Sequence, residues 1–470
     1  MNYNGNKAEN VKIAYIGGGS RGWAWSLMSD LAASKKMSGD VYLYDIDYEA
    51  AQRNAVIGDK FNFCEKTSAH WNYYATETID EALAGANFVV ISILPATFDE
   101  MESDVHLPEK YGIYQPVGDT TGPGGVVRAL RTIPMFEYIA EKIKENCPEA
   151  WVINYTNPMT LCVGALYRAF PEIKAIGCCH EVFGTQKILM EALEDIEGIK
   201  CEHRRDIKVN VVGVNHFTWL TEAKYRDIDL FPVYRKFCEK YVENGYENKK
   251  DNYHKWDETN SNVWQLKHKV KMDLFLRFGS IAAAGDRHLA EFCPGKWYLS
   301  SPESVRNQYF FNLTPVSYRK KDLKDRLAKS DAYYNGTMKV SVKDTGEEGV
   351  MMMEALLGFG DMVTNVNIPN VGQISNLPLG AVVETNATFT AGGVTPVMAG
   401  DLPRNIYALI ARIVGEQEMV LEAAFTRNLD LAFEAFANDP LVTINRDDAK
   451  ALFDQMIENT KAYLTMYNIK

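Results

Sequence analysis

Residues 11–34 read VKIAYIGGGSRGWAWSLMSDLAAS, and this run restricts the possible folds more than any other in the chain. It is a β-branched run, then a glycine-rich turn, then a helix with Trp25, Met28, Leu31 and Ala32 at helical spacing. A second strand, DVYLYDID, follows at 40–47. Gly17, Gly19 and Gly22 satisfy G-x-G-x-x-G, with Ser20 inside the turn and Asp45 at the end of the second strand. Gly17 permits the tight turn, and Gly19 lets the backbone approach a pyrophosphate. The following helix N-terminus offers unpaired N–H groups and a favourable dipole. Asp45 can accept hydrogen bonds from a ribose diol. In this context the motif predicts a dinucleotide site rather than an ordinary βα turn.

Near-continuous apolar strands recur at 86–94, 150–156, 173–179 and 207–214, with a helical stretch at 126–147 between the first two. This pattern predicts an α/β chain. Its first half, 1–200, is an NAD-binding, Rossmann-type, doubly wound parallel sheet buried on both faces. From about residue 217 the alternation fades, and 225–275 is polar and aromatic with several helical windows. The half 201–470 is therefore expected to be α+β, giving the two-lobed architecture of lactate and malate dehydrogenases. The stretch AKALFDQMIENTKAYL predicts a late helix with Leu452, Phe453, Met456, Ile457 and Tyr463 on one face.

A net charge of −12 and a pI near 5.3 argue against nucleic acid or an anionic membrane as partner. The start MNYNGNKAEN lacks a signal-peptide pattern, and NFVVISILPATF is far shorter than the roughly 20 residues of a membrane span. Eight irregularly spaced cysteines point to reduced thiols, hence to a cytoplasmic location.

Three groups of residues carry possible chemistry. Cys179, in GCCHEV, and His216, in VNHFTW, could grip a divalent transition metal, act as a nucleophilic pair, or lie in the core. Asp119 sits in a glycine-rich loop before a helix bearing Arg128 and Arg131, as an acid beside cations or as a turn cap. Asp286, His288 and Glu291 place three proton-handling groups in GDRHLAEF, as a general-base site or an ordinary helix start. Asn154 and Asn157 in NYTNP can bind ribose or sugar hydroxyls, or shape the turn before Pro158.

Together IAYIGGGS, GDTTGPGG, NYTNP, CCHEV, VNHFTWL, NIPNVGQISNLP and GDLP resemble glycoside hydrolase family 4 over most of the chain. Cys179-His180-Glu181-Val182 is similar to the α-galacturonidase branch. The resemblance implies NAD⁺ and a divalent metal, Mn²⁺ or alternatively Ni²⁺ or Co²⁺, in place of a carboxylate pair. It implies C3 oxidation, C2 deprotonation, elimination, water addition and re-reduction, without net redox change. By match to the family, Cys179 and His216 hold the metal and Asp119 is the acid. Asp286 is the C2 base, with His288 as rival. Asn154 serves the cofactor, while Asn157 and His180 serve the substrate. Arg128, Arg131 or Arg287 supplies the cation for a uronate carboxylate. The implied substrate is a short α-linked galacturonide such as α-1,4-digalacturonate, and the implied assembly a homo-oligomer, dimer or tetramer. An α-galactosidase or α-glucuronidase of the same family, a 2-hydroxyacid dehydrogenase and an inactive NAD sensor are the rival readings.

Overall fold

The computed structural model describes residues 1–248, 255, 256, 259 and 262–469, so part of the polar stretch 225–275 lies outside the described residues. Six parallel strands form the heart of a ten-stranded sheet. Across it run Trp71–Thr76, Met37–Tyr44, Lys7–Ile16, Phe88–Ile91, Trp151–Asn154 and Lys174–Gly177. The chain order reverses between Lys7–Ile16 and Phe88–Ile91, which places a ligand crevice beyond the carboxyl ends of those strands.

Alternate residues of these strands feed two cores. Ala14, Ile16, Val89, Ile91 and Val152 pack with Val127, Leu130 and Leu161 of the helices Gly122–Asn146 and Met159–Ala169. Ile13, Tyr15, Val90 and Ile153 pack with Trp25, Met28 and Ile57 of the helices Trp23–Ala33 and Tyr48–Phe61. Helices on both faces explain why the central strand Phe88–Ile91 is apolar and buried at every position.

The second half of the chain also contributes to this sheet. Met362–Pro369 joins antiparallel to Lys174–Gly177 through Asn367 and Gly177, and Val382–Thr390 and Gly393–Pro396 extend the edge. One expected element changes place. The strand Ile207–Val214 is not in the parallel sheet but pairs antiparallel with Phe217–Tyr225 in a separate four-stranded sheet. Only Asn215 and His216 separate the two runs. That suffices for a hairpin, whereas a parallel crossover needs about a dozen residues or more. The late helix Arg446–Thr460 buries Leu452, Phe453, Met456 and Ile457, and Tyr463 falls beyond its end in the turn Lys461–Tyr463.

Gly17 adopts φ +91°, and a Cβ there would overlap the carbonyl oxygen of Ser92 on the neighbouring crossover. Gly17→Ala is therefore expected to cost about 1–3 kcal/mol of stability. Urea unfolding of the two chains checks this, and an unchanged midpoint would refute it.

Candidate active site

The glycine-rich turn is built as a cradle. Its last glycine, Gly22, caps the helix Trp23–Ala33 without any side-chain hydrogen bond, so the first-turn N–H groups have no side-chain acceptor. Ser20 N–H donates to Gly17 O at 3.0 Å, closing the turn. Asp45 accepts from Gly19 N at 2.9 Å through one oxygen and from Asp47 N at 2.9 Å through the other. Spare lone pairs remain on both oxygens. Asn54 has no part in the motif yet organises the turn. Its amide donates to Gly18 O at 2.7 Å and Ser20 O at 2.9 Å, and its oxygen accepts from Trp25 Nε1 at 2.9 Å. A polar residue on the otherwise apolar face Ala50, Ala51, Ile57, Phe61 was the available signal.

Asp119, His216 and His288 converge, each offering a donor atom within 4.8 Å of the others. Asp119 lies in a loop clamped on either side. Glu291 Oε1 accepts from Val117 N at 2.7 Å and Gly118 N at 2.9 Å. Asp439 accepts from Gly122 N at 2.8 Å and Thr121 Oγ1 at 3.1 Å, capping the helix Gly122–Asn146 from outside. His216 sits at the hairpin tip with φ +64°, a left-handed conformation that His tolerates better than most residues. His288 comes from the helix Asp286–Phe292, and its ring stacks on His216 with centroids 3.7 Å apart.

Thr120 Oγ1 donates to Asp119 Oδ1 at 2.7 Å and lies 2.9 Å from His216 Nδ1. One hydroxyl hydrogen cannot serve both, so both contacts are satisfied when His216 Nδ1–H donates to Thr120. Its Nε2 then carries a free lone pair. Burial, and the adjacent His288, hold His216 down to about 3, and burial also lowers His288. Both imidazoles are neutral at pH 7. Burial alone would raise the Asp119 carboxyl, but Arg128, His288 and His216 outweigh it and hold it below the ordinary carboxylate value. Burial opposes ionisation of Glu181 too, yet His288, His180 and His216 hold it at about 2. Glu181 Oε2 accepts from Gly285 N at 2.6 Å, and its other oxygen is 4.0 Å from His288 Nε2. Two carboxylates, neutral imidazoles and the buried, unpartnered His288 Nδ1 form a donor set suited to a cation.

Cys179 follows the strand Lys174–Gly177 and is not one of the three converging donors. Asn215, next to His216, donates to Glu384 at 3.3 Å. Burial, then the charges of Glu384 and Glu181, push the Cys179 thiol well up. Cys178 faces the other way and contacts Met352 Sδ at 3.5 Å. His180 is half-exposed, 3.2 Å from Glu347, with its ring facing Trp23.

Several expected residues are occupied elsewhere. Asp286, expected as the base, spends its oxygens on Val270 N and Lys271 N, both at 3.1 Å, capping the helix Lys269–Phe278; the rival His288 faces the cluster. Asp119, expected as the acid, is ionised at rest, so it accepts a proton before it can give one. Asn154 is fully buried with both amide atoms on the Thr156 backbone at 3.0 Å, which shapes the NYTNP turn rather than reaching a ligand. Arg131 is locked to Asp104 and bonds Pro95 O at 3.1 Å and Thr460 Oγ1 at 3.3 Å. Arg287 bonds Asn312 O at 3.1 Å and Val263 O, over the Trp264 ring. Arg128 differs. Its Nε holds Asn157 O at 3.1 Å, its charge faces Asp119, and the buried Asn157 Oδ1 has no partner.

Comparison with known proteins agrees with this architecture. Residues 12–195 match the model of the family 4 glycosyl hydrolases, and 211–442 match its C-terminal domain. The chain is 60% identical over 470 residues to an alpha-galacturonidase of Thermoanaerobacterium saccharolyticum, covering 100% of both. It is 51% identical over 450 residues to an alpha-galacturonidase of Bacillus subtilis, covering 96% of this chain and 97% of that one. The crystal structure of lplD from Bacillus subtilis superposes with a TM-score of 0.90 at 52% identity, over 95% of this chain and 100% of that one. A 6-phospho-alpha-glucosidase from gut microorganisms, solved with NAD and Mn2+, shares the fold at a TM-score of 0.78 and 19% identity, over 97% and 99%. A glycine-rich cradle, a converging Asp–His–His cluster and likeness along the whole length lead to one conclusion: the chain belongs to the family 4 glycosyl hydrolases.

Proposed function

We propose that the chain is an NAD- and divalent-metal-dependent α-galacturonidase that cleaves short α-linked galacturonides such as α-1,4-digalacturonate. Full-length identity of 51–60% to four alpha-galacturonidases carries the substrate reading. The neutral His216 and His288 beside ionised Asp119 and Glu181 support the chemistry. When bound, NAD⁺ takes up and returns a hydride, and a divalent cation such as Mn²⁺ polarises sugar oxygens. Gly17, Gly19, Ser20, Gly22 and Asp45 would hold the first, and Cys179 with His216 the second.

The chain's own residues then handle protons and position the sugar. His288, neutral at rest, accepts the proton leaving the sugar carbon. Passing it to Asp119 yields the protonated carboxyl that the departing glycosidic oxygen needs. Arg128 supplies the cation for the uronate carboxylate, and Asn157 Oδ1 an acceptor for a sugar hydroxyl. His180 stands at the half-exposed rim. Residues 1–200 form the dinucleotide half and 201–470 the half that brings His216 and His288. A cytoplasmic location, where free thiols stay reduced, and a homo-oligomeric state belong to the same proposal. No helix among the described residues is long and apolar enough to cross a membrane.

The test is hydrolysis of α-1,4-digalacturonate with and without NAD⁺, Mn²⁺ and a thiol reductant, read by reducing sugar and NADH absorbance. Cleavage that needs all three, without NADH accumulation, is the expected result. Accumulating NADH without cleavage would return the chain to the 2-hydroxyacid dehydrogenases.

A further inference from the structure

The two residues assigned to the cation, Cys179 and His216, come from different sheets, and nothing in the local chain sets their separation. Behind them lies a buried polar network. The carboxyl group of Glu384, on the strand Val382–Thr390, is fully buried. One of its oxygens accepts from Asn365 Nδ2 at 2.7 Å, and the other from Asn215 Nδ2 at 3.3 Å. The same Asn365 amide donates to the backbone oxygen of Cys179 at 3.1 Å. Asn215 is the hairpin residue immediately before His216 and is itself fully buried.

A single side chain from the C-terminal half therefore ties both segments together: through Asn365 to the chain at Cys179, and through Asn215 to the turn that carries His216. The tie matters most at His216, whose positive φ has to be imposed by its surroundings. A buried carboxyl group in this half of the chain has no need of two amide partners for packing alone, since an apolar residue would fill the strand at lower desolvation cost.

We propose that Glu384 is a positioning residue that fixes the spacing of Cys179 and His216 and thereby sets cation affinity. The inference rests on the reading of those two residues as the cation's ligands. Outer partners of ligating side chains hold them in place, and losing one weakens metal binding roughly 10–100-fold. Glu384→Gln keeps the shape but offers an N–H where Asn215 needs an acceptor; Asn365→Ala cuts the arm to Cys179.

The experiment titrates Mn²⁺ alone into the full chain by calorimetry, in parallel with NAD⁺ binding by fluorescence and thermal unfolding. For both variants a 10–100-fold rise in the Mn²⁺ dissociation constant is expected, with NAD⁺ affinity and the unfolding midpoint close to the parent chain. An unchanged Mn²⁺ constant in both variants overturns the proposal. So does an equal loss of Mn²⁺ and NAD⁺ affinity with a lowered midpoint, which marks general loosening. Cys179→Ser separates the two levels of argument. If it weakens Mn²⁺ binding while the Glu384 and Asn365 variants do not, only the positioning role falls. If it also leaves Mn²⁺ binding intact, the ligand reading falls and the inference with it.

Discussion

Asp119→Asn is expected to lower kcat by about 10²–10⁴ while NAD⁺ affinity and the unfolding midpoint stay close to those of the parent chain. The amide preserves the outline of the side chain and still accepts the Thr120 hydroxyl, which donates to Oδ1 at 2.7 Å. The loop itself is held by Glu291 on one side and Asp439 on the other, neither of which touches the Asp119 carboxylate. What the substitution removes is a proton acceptor. In the parent chain Arg128, the foremost influence against burial, helps hold the Asp119 carboxyl below its ordinary value, so it is ionised and ready to take a proton from a neighbour and release it to a leaving oxygen. An amide can do neither. Steady-state kinetics on digalacturonate, with NAD⁺ titrated separately, decide the matter. A kcat within tenfold of the parent would remove Asp119 from the proton path.

The dinucleotide half was legible because its information is local. Strand, glycine turn, helix and terminal acid fall within one continuous stretch, and each piece has a physical reason independent of the rest of the chain. Gly17 accordingly makes the tight turn with a positive φ, and Asp45 lies against it, accepting from Gly19 N. His216 was legible only as a residue. Its strand was assigned to the parallel sheet because an apolar run of that length looks alike in a buried parallel strand and a buried hairpin. The two-residue gap before Phe217 was the signal that separates them. Arg131 and Arg287 show the opposite limit. An arginine near an active-site motif looks available until its partner is known, and Asp104 and Asn312 lie too far along the chain to be read as partners. The same applies to Asp286, whose acceptors are spent on a helix start about one element away. Glu384 left no trace at all, since a lone carboxylate in an alternating strand reads as solvent-facing.

Cys179→Ser is expected to abolish metal-dependent turnover and to weaken Mn²⁺ binding by more than the roughly 10–100-fold that outer partners cost, while NAD⁺ still binds. The argument turns on the thiol's surroundings. Burial, with Glu384 and Glu181 nearby, keeps it protonated when no cation is present, so a cation is what would draw off its proton. A serine hydroxyl in the same place gives up its proton far less readily, so it offers the cation a neutral oxygen where the thiol would offer an anionic sulfur. The glycine-rich cradle is untouched, because Asp45 accepts from Gly19 N, Asn54 donates to Gly18 O and Ser20 O, and Ser20 N closes the turn onto Gly17 O, all apart from Cys179. Reversible oxidation of the parent chain should imitate the substitution, with a thiol reductant restoring activity in the parent and not in the variant. Calorimetry with Mn²⁺, fluorescence titration with NAD⁺ and turnover before and after reductant give three separate readouts. Loss of NAD⁺ affinity in step with Mn²⁺ affinity would mean that Cys179 supports the fold of the crevice instead of holding the ion.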